Sequence, residues 1–362
     1  MSLLPFANAF TREEDTEEER HLRNQLARFK PVELIGAGSF GSVYKGRDSS
    51  FQKRTPEKHW VAIKVEKRNK RGDKPSALLR EYETYRTLID RAVGMDFGLP
   101  HIIQFIDNVP QRTHIMVMEL LGPDLRCLLI DCGGTFSLKT VLQIGVQLID
   151  RMELVHDLGF LHRDIKPHNF AIGSEFQRRD LRNMIRVIDF GFAKEIMTKE
   201  EQHIAFSRHE FFVGTMKYSS IRSQEGLTTS RRDDLEAITY LLISFIRGKL
   251  PWSDVIQGKY NPEHKRYYFK ETLRIKKEIS IKELCGEDIP RALEYMLRYT
   301  RNGLSFTDRP DYEYLRSQLI KCFYDNEFPN DNLYDWDLLG TDGNEGPRRQ
   351  TGRERPRLCS YL

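Results

Sequence analysis

Hydrophobic positions change their spacing near residue 122, and this change divides the chain into two parts. Before it, one helical pattern covers residues 76–90, whereas the other apolar runs are short and bounded by glycine, proline or polar clusters, as in β-strands. Strands are predicted on both sides of a glycine-rich turn within 32–45, and at 60–65, 102–105 and 115–119. The first part is therefore predicted to be a small lobe of five strands and one helix.

After residue 122 the apolar spacing is that of helices. Helices are predicted at 136–158, 230–247, 281–285, 291–302 and 312–324. A charged helix is also predicted within 11–30, ended by Pro31 because proline breaks the helical hydrogen-bond pattern. The longest apolar run, at 238–246, has about half of the residues that a membrane span needs, so it indicates a buried helix.

The fold class predicted from this pattern is α+β, in four segments. They are a charged helical extension at 1–30, a small β-rich lobe at 31–120, a larger, mostly helical lobe at 121–336 and a basic tail at 337–362. Because the tail is rich in glycine, arginine and proline and has no periodicity, it is predicted to remain unfolded.

Composition and charge narrow the class of protein. Hydrophobic residues make up 39% and charged residues 30% of the 362, as in an ordinary globular protein. The net charge of +4 is small for this length, so no nucleic-acid partner is expected. The five cysteines are scattered without metal-finger spacing, and the N-terminus lacks the pattern of a signal peptide. Reduced thiols and a cytoplasmic or nuclear location are expected.

The glycine-rich turn is the first candidate for chemistry. Residues 36–43 read GAGSFGSV, and glycines such as Gly36, Gly38 and Gly41 let backbone amides approach phosphate groups. Dinucleotide-binding folds use the same glycine spacing, but they place a helix after the turn. Here the pattern continues from Val43 as a strand, which argues against a dinucleotide-dependent oxidoreductase and favours a phosphate-binding hairpin.

A lysine lies inside the apolar strand that follows. Lys64 ends the sequence VAIK, and burying its ammonium is costly unless it meets anions. Nucleotide phosphates would supply them, together with a carboxylate on the helix at 76–90. Glu81 is preferred to Glu83 as that carboxylate because Glu83 lies off the apolar face of the helix. An exposed lysine on an edge strand is the alternative interpretation of Lys64.

Residues 162–169 (HRDIKPHN) and 189–191 (DFG) are the most specific motifs. They resemble the signature of protein kinases, which implies that Asp164 accepts the proton of the substrate hydroxyl and that Lys166 lies near the transferred phosphoryl group. Asn169 and Asp189 are then the Mg²⁺ ligands, and hard oxygen donors of this kind suit that cation. His162 is predicted to pack under the loop as a structural residue.

Further motifs resemble the casein kinase 1 family from residue 32 to residue 336. They are LLGPDL at 120–125, SSI at 219–221, SRRDDLE at 230–236, GKLPW at 248–252 and YDW at 334–336. The SSI triplet is the most distinctive because most kinases carry Ala-Pro-Glu there. The resemblance implies a bilobal protein kinase fold, with a small β-rich N-lobe and a larger, mostly helical C-lobe. Asp234, a candidate cap at the start of its helix, is also implied to hold the catalytic-loop backbone.

The family implies a serine/threonine kinase that uses ATP and Mg²⁺. Within the ATP pocket, Met118 would border the back of the adenine site, while Glu119 and Leu121 would offer it their backbone. The residues implied to contact ATP are Ile35, Gly36, Gly38, Ser39, Gly41, Val43, Ala62, Lys64, Met118, Glu119 and Leu121.

The implied partners are protein substrates whose serine or threonine lies near acidic or phosphorylated residues. Such a preference requires cations beside the peptide groove. Lys217 matches one anion-binding position of the family, and Arg163 and Lys194 match a second cluster near the activation segment. The alternative interpretation of all three residues is that they are solvated surface charges.

Several residues depart from the family pattern and weaken the expectation of a preference for phosphorylated substrates. Asp254 replaces a glycine whose backbone helps to bind the substrate anion, and Glu210 stands where the second cluster usually has a lysine. Arg222 and His168 replace the usual asparagine and aspartate, and the segment 257–270 is longer than usual.

Two other classes of protein share parts of this pattern. A pseudokinase scaffold would require the loss of Lys64, Asp164, Asn169 or Asp189, and none of these is lost. A small-molecule phosphotransferase would not need the peptide-platform segment at 214–236. An active protein kinase is therefore the prediction, and we expect it to be a monomer.

The last four residues, CSYL, place Cys359 at the spacing of a prenylation motif, behind several arginines. A lipid there would attach the tail to a membrane with help from the basic residues. Ser360 and Tyr361 are not aliphatic, however, so an unmodified tail is the preferred interpretation.

Overall fold

The computed structural model describes residues 27–38, 41–50, 60–67, 76–92, 98–108, 113–174, 179–198, 202–208, 210–257 and 264–339. The predicted N-terminal helix up to residue 26, Ser39 and the tail with Cys359 lie outside these ranges. No helix in the described part of the chain is long and apolar enough to span a bilayer.

The small lobe is built on an antiparallel sheet of five strands in the order β1-β2-β3-β5-β4. The strands are β1 (Phe29–Gly38), β2 (Gly41–Asp48), β3 (Trp60–Lys67), β4 (Ile102–Asn108) and β5 (Thr113–Glu119). Alternate side chains leave opposite faces of a strand. Val61, Ile63 and Val65 therefore pack together in one core, while Ala62 and Lys64 lie on the face that looks toward the rest of the molecule.

Helix α1 (Ala77–Arg91) packs against that second face. Its N-terminus is capped by Ser76, whose Oγ accepts the amide of Leu79 at 2.9 Å, as is common for serine. The buried positions are Leu78, Glu81, Tyr85 and Leu88, one stripe at helical spacing. This stripe places the carboxylate of Glu81 in the interior.

The larger lobe consists mainly of helices. They are α2 (Leu125–Asp131), α3 (Leu138–Asp157), α4 (Arg179–Arg182), α5 (Ile221–Gln224), α6 (Arg231–Arg247), α7 (Ser253–Gln257), α8 (Lys265–Glu278), α9 (Ile281–Cys285), α10 (Arg291–Arg298) and α11 (Tyr312–Asp325). Helix α3 packs against α6 and α11 at the centre of the lobe. Short antiparallel pairs carry the site loops: β6 (Phe160–Leu161) with β9 (Lys194–Glu195), and β7 (Phe170–Ala171) with β8 (Arg186–Val187).

The predicted bilobal fold is confirmed, and two local expectations were wrong. The helix expected to end at Pro31 gives way to β1 at Phe29, and Pro31 lies within this strand. Proline is tolerated because β1 is an edge strand, with a register shift between Pro31 and Glu33. Helix α8 was not predicted, and the helix expected at 291–302 ends at Arg298 before a π-helical turn, Tyr299–Gly303.

A fully buried lysine joins α8 to the peptide-platform segment. The Nζ of Lys276 donates to the carbonyls of Met216 at 2.9 Å and Ser219 at 2.7 Å. It also lies over the rings of Tyr240 and Trp252, with centroids at 5.4 and 5.1 Å. Burial lowers the pKa of Lys276 well below its usual value, although the nearby Glu236 carboxylate opposes this shift.

Replacing Lys276 by methionine keeps the length of the side chain and removes its donors. Lys276→Met should lower the free energy of unfolding by about 2–4 kcal/mol, because two buried carbonyls lose their partner. Urea denaturation is the measurement. Lys277→Met is the matched control, since it breaks only the exposed pair with Glu225 and should leave the stability close to that of wild type. Equal stability of the two variants would contradict this role.

Candidate active site

The two lobes meet at Lys64, on the inner face of β3. Its Nζ lies 2.6 Å from Oε2 of Glu81 and 3.7 Å from Oδ1 of Asp189. Glu83, the rival of Glu81 in the sequence, is exposed. Burial raises the pKa of Glu81, and the Lys64 ammonium opposes this shift. These two contacts of Lys64 join the sheet to α1 and to the DFG segment. They hold the Lys64 ammonium in the cleft.

The catalytic-loop residues converge on the carboxylate of Asp164. Its Oδ1 accepts the hydroxyl of Thr215 at 2.7 Å, and its Oδ2 lies 2.8 Å from Nζ of Lys166. The side-chain amide of Asn169 donates to the Asp164 carbonyl at 2.8 Å and to Oδ2 at 3.2 Å. Asp164 is thus buried and held by three side chains, which fixes the direction of its carboxylate.

Asp234, near the N-terminus of α6, holds the backbone of this loop. Its carboxylate accepts the amides of His162 at 2.8 Å and Arg163 at 2.9 Å, and it contacts Nε2 of His156 at 3.0 Å. Burial opposes ionisation of Asp234, but the hydrogen bond from His156 and the nearby histidines keep its pKa below the usual value. The helix itself is capped by its neighbour Asp233, which accepts the amide of Ser230 at 2.7 Å.

This support is needed because the loop has an unfavourable backbone conformation. Arg163 has a φ of 65°, in the left-handed region that side chains rarely adopt. His162 is fully buried below it, where its Nδ1 accepts the Asp164 amide at 3.2 Å and its Nε2 faces the Ile188 carbonyl at 3.3 Å. Both ring nitrogens of His162 are engaged with backbone, which supports the structural role proposed for it.

The DFG segment is fixed from the side of α1. The Asp189 amide donates to the hydroxyl of Tyr85 at 3.1 Å, and Phe190 lies between the rings of Tyr85 and His162, at 5.0 and 5.2 Å. Burial opposes ionisation of Asp189, but the charges of Lys64 and Lys166 hold its pKa below the usual value. Asp189 therefore presents an anionic carboxylate in the cleft, 3.7 Å from Nζ of Lys64.

Four of the proposed ATP residues lie on neighbouring strands of the sheet. Across the sheet, Val43 pairs with Lys64 and Ala62 pairs with Met118, so all four share one end of the lobe. Gly41 has a φ of 147°, and a Cβ there would lie 2.0 Å from the Val65 carbonyl. No other residue type fits that close approach, which explains the glycine at this point of the hairpin.

The three predicted anion-binding residues fall in two places. Lys217 is half-buried on the peptide platform, and burial together with the charge of Arg126 lowers its pKa to about 8. Lys194 instead lies 2.5 Å from Oε1 of Glu210, and Nε of Arg163 donates to the Phe192 carbonyl at 2.7 Å. The substituted Asp254 is exposed and pairs with Lys249 at 3.3 Å.

Four contributors were missed from the sequence: Thr215, Tyr85, Arg126 and Lys276. Tyr85 and Lys276 look like ordinary members of helices, because spacing does not show which polar atom a buried residue reaches. Thr215 follows Gly214 at the start of the platform, and a hydroxyl at that point is the one signal that would have indicated it. Arg126 is exposed on the first turn of α2, where a cation carries no distinctive pattern.

Comparison with known proteins gives a consistent result. The family model for the protein kinase domain matches residues 29–303. A curated relative, casein kinase I homolog 2 of Schizosaccharomyces pombe (strain 972 / ATCC 24843), is 36% identical over 306 residues. The match covers 84% of this chain and 65% of the relative, so the chain spans just under two-thirds of that protein's length.

The two neighbouring aspartates of α6 should respond to acid in opposite directions. Because the folded-state pKa of Asp234 is depressed, its stabilising charge is present at neutral pH and is lost as pH falls below about 4. Asp234→Asn should therefore cost about 3 kcal/mol of unfolding free energy at pH 7 and less at pH 3.

Asp233→Asn is the matched control for that experiment. Burial raises the pKa of Asp233 to about 6, so the stability that wild type gains from this group grows as pH falls from 7 toward 4. Urea denaturation from pH 7 down to pH 3 distinguishes the two aspartates. A cost of Asp234→Asn that is the same at every pH would contradict a buried, ionised Asp234.

Proposed function

Because this chain belongs to the protein kinase family and, within it, to the casein kinase 1 family, we propose that it is an active serine/threonine kinase. It would transfer the γ-phosphoryl group of ATP to protein substrates. The observation that carries this proposal is the convergence of Lys64, Asp164, Asn169 and Asp189 on one cleft with their supporting contacts intact. A pseudokinase would be expected to lack at least one of these groups.

The residues of the cleft fit a divalent cation and a nucleotide. Asn169 and Asp189 offer hard oxygen atoms, and Mg²⁺ is commonly held by one or two such ligands together with phosphates and water. When bound, the cation would neutralise phosphate charge. Lys64, held by Glu81, would bind the phosphates from the side of the small lobe, and the backbone of Glu119 and Leu121 would bind the base.

Within this cleft Asp164 would act on the substrate hydroxyl. Thr215 and Asn169 orient its carboxylate, which accepts the proton as the hydroxyl oxygen attacks the γ-phosphorus and the bond to the β-phosphate oxygen breaks. Lys166, 2.8 Å from the same carboxylate, would stabilise the negative charge of the transferred group. Positioning and charge stabilisation thus account for the chemistry that the chain itself supplies.

Asp164→Asn tests the catalytic assignment directly. The substitution preserves size and removes the base, so kcat should fall at least about 100-fold. Activity is measured with ATP, Mg²⁺ and casein, and a thermal unfolding curve verifies that the variant is folded. Near wild-type turnover by folded Asp164→Asn would exclude Asp164 as the base.

We further propose that substrates carry acidic or phosphorylated residues N-terminal to the target. Lys217 supports this proposal because it lies half-buried on the peptide platform, where the charge of Arg126 also acts on it. No carboxylate pairs with Lys217 among the residues that the structure describes. Lys217 is thus a half-buried cation without a described acidic partner, next to the positive charge of Arg126, and such a site favours an incoming anion. Asp254 adds a negative charge to the platform, so a smaller gain from a phosphate is expected than in the family.

The pH dependence of substrate selection tests the role of Lys217. A peptide with phosphoserine three positions before the target is compared with its serine twin. The ratio of their kcat/KM values should exceed one in wild type and fall as pH rises through about 8, where Lys217 loses its proton. Lys217→Arg should keep the preference above pH 8, and Lys217→Ala should lose it at every pH. A ratio that neither substitution changes would show that the anion binds elsewhere.

We also propose a monomer in the cytoplasm or nucleus, with no nucleic-acid partner. The small net charge and the scattered cysteines support this proposal. Attachment to a membrane through Cys359 remains the less favoured alternative, and this residue lies outside the described part of the chain.

A further inference from the structure

A carboxylate occupies the cluster in which Arg163 and Lys194 were expected to bind an external anion. Oε1 of Glu210 lies 2.5 Å from Nζ of Lys194, in the segment that connects the DFG motif to the peptide platform. The two side chains are only 24% and 29% exposed. Exposed ion pairs contribute little to stability because water screens them, but this pair is largely withdrawn from water.

Glu210 is also held by residues of the loop between α5 and α6. The hydroxyl of Thr228 donates to the same Oε1 at 3.2 Å, and the Glu210 amide donates to the Gly226 carbonyl at 2.9 Å. Thr228 in turn bonds to Ser207, whose amide donates to the Thr228 hydroxyl at 2.8 Å. One carboxylate therefore links β9 to the loop between α5 and α6, across the activation segment.

The charge of Glu210 also acts on Arg163 of the catalytic loop. Burial lowers the pKa of Arg163, and the charges of Glu210 and Asp234 oppose this shift. Arg163 directly precedes the catalytic base Asp164, and its own Nε is bonded to the carbonyl of Phe192, three residues after Asp189. The position of the activation segment is thus coupled to the residues that carry the chemistry.

We propose that Glu210 is a built-in counter-ion that orders the activation segment, in the place where a phosphate or a bound anion would otherwise be required. A phosphate orders a segment by giving clustered cations a negative partner, and Glu210 supplies that partner permanently. It is a positioning residue: it acts through Lys194 and Arg163 and does not touch the substrate. This inference rests on the proposed kinase function and adds how the activation segment of that kinase is ordered.

Removing the carboxylate should open an anion site that wild type does not have. In Glu210→Ala, kcat on a peptide without acidic residues should fall about tenfold, the scale of one charge-assisted contact. Sodium sulfate, compared with sodium chloride at equal ionic strength, should restore most of this loss. The same salt should not activate wild type. Glu195→Ala, which removes an exposed carboxylate of β9, is the matched control and should behave as wild type.

Three further measurements distinguish the loss of the Glu210 charge from a structural effect of the substitution. The variant Glu210→Ala/Lys194→Ala should lose kcat without rescue by sulfate, because the cation that would bind sulfate is gone. If Glu210→Ala fails to fold, Glu210→Gln keeps the shape of the side chain and should show the same rescue. Because sulfate would also compete at Lys217, the series is repeated in the Lys217→Ala background.

Two results would overturn the inference: wild-type kcat in folded Glu210→Ala, or a loss that sulfate does not reverse in Glu210→Ala and Glu210→Gln. Wild type from bacteria, treated with phosphatase, should remain active. Activity that disappears with that treatment would overturn the role of Glu210 while leaving the kinase function in place. Absence of transfer before and after the treatment would instead contradict the proposed function itself.

Discussion

The catalytic loop depends on one buried carboxylate. Asp234 accepts two consecutive backbone amides from a turn in which Arg163 adopts an unfavourable positive φ. A buried charge is costly unless several donors surround it, and His156 supplies the third. This arrangement sets the position of Asp164, and through Thr215 and Asn169 it also sets the position of the platform and of one proposed metal ligand.

A second group of polar contacts fixes other segments of the molecule relative to that loop. Lys64 connects β3 with Glu81 of α1 and with Asp189 of the DFG segment. Lys194 of β9 connects with Glu210, which precedes the peptide platform. Lys276 fixes the peptide platform from below through backbone carbonyls. Each contact is at least partly shielded from water, so it constrains geometry more strongly than an exposed ion pair would.

The sequence was sufficient to predict the elements whose signal is local. Short bounded apolar runs predicted β3 and β5, and helical spacing predicted α1, α3 and α6. The glycine-rich, HRD and DFG motifs indicated the residues that meet in the cleft. Contacts between distant segments could not be predicted. The start of β1 at Phe29 depends on packing in the sheet core and on the ion pair of Arg28 with Asp48, and the pairing of Lys194 with Glu210 depends on how the activation segment returns.

The central claim is that this cleft transfers a phosphoryl group from ATP to a hydroxyl group of a protein. The most direct measurement is a single-turnover reaction of the purified chain with Mg²⁺, limiting ATP and a serine-containing protein substrate, in which ADP and phosphoserine are both quantified. The structure predicts equal amounts of the two products, because the buried Asp164 directs attack by the substrate hydroxyl. ADP without phosphoserine, or bound ATP that is never consumed, would contradict the account.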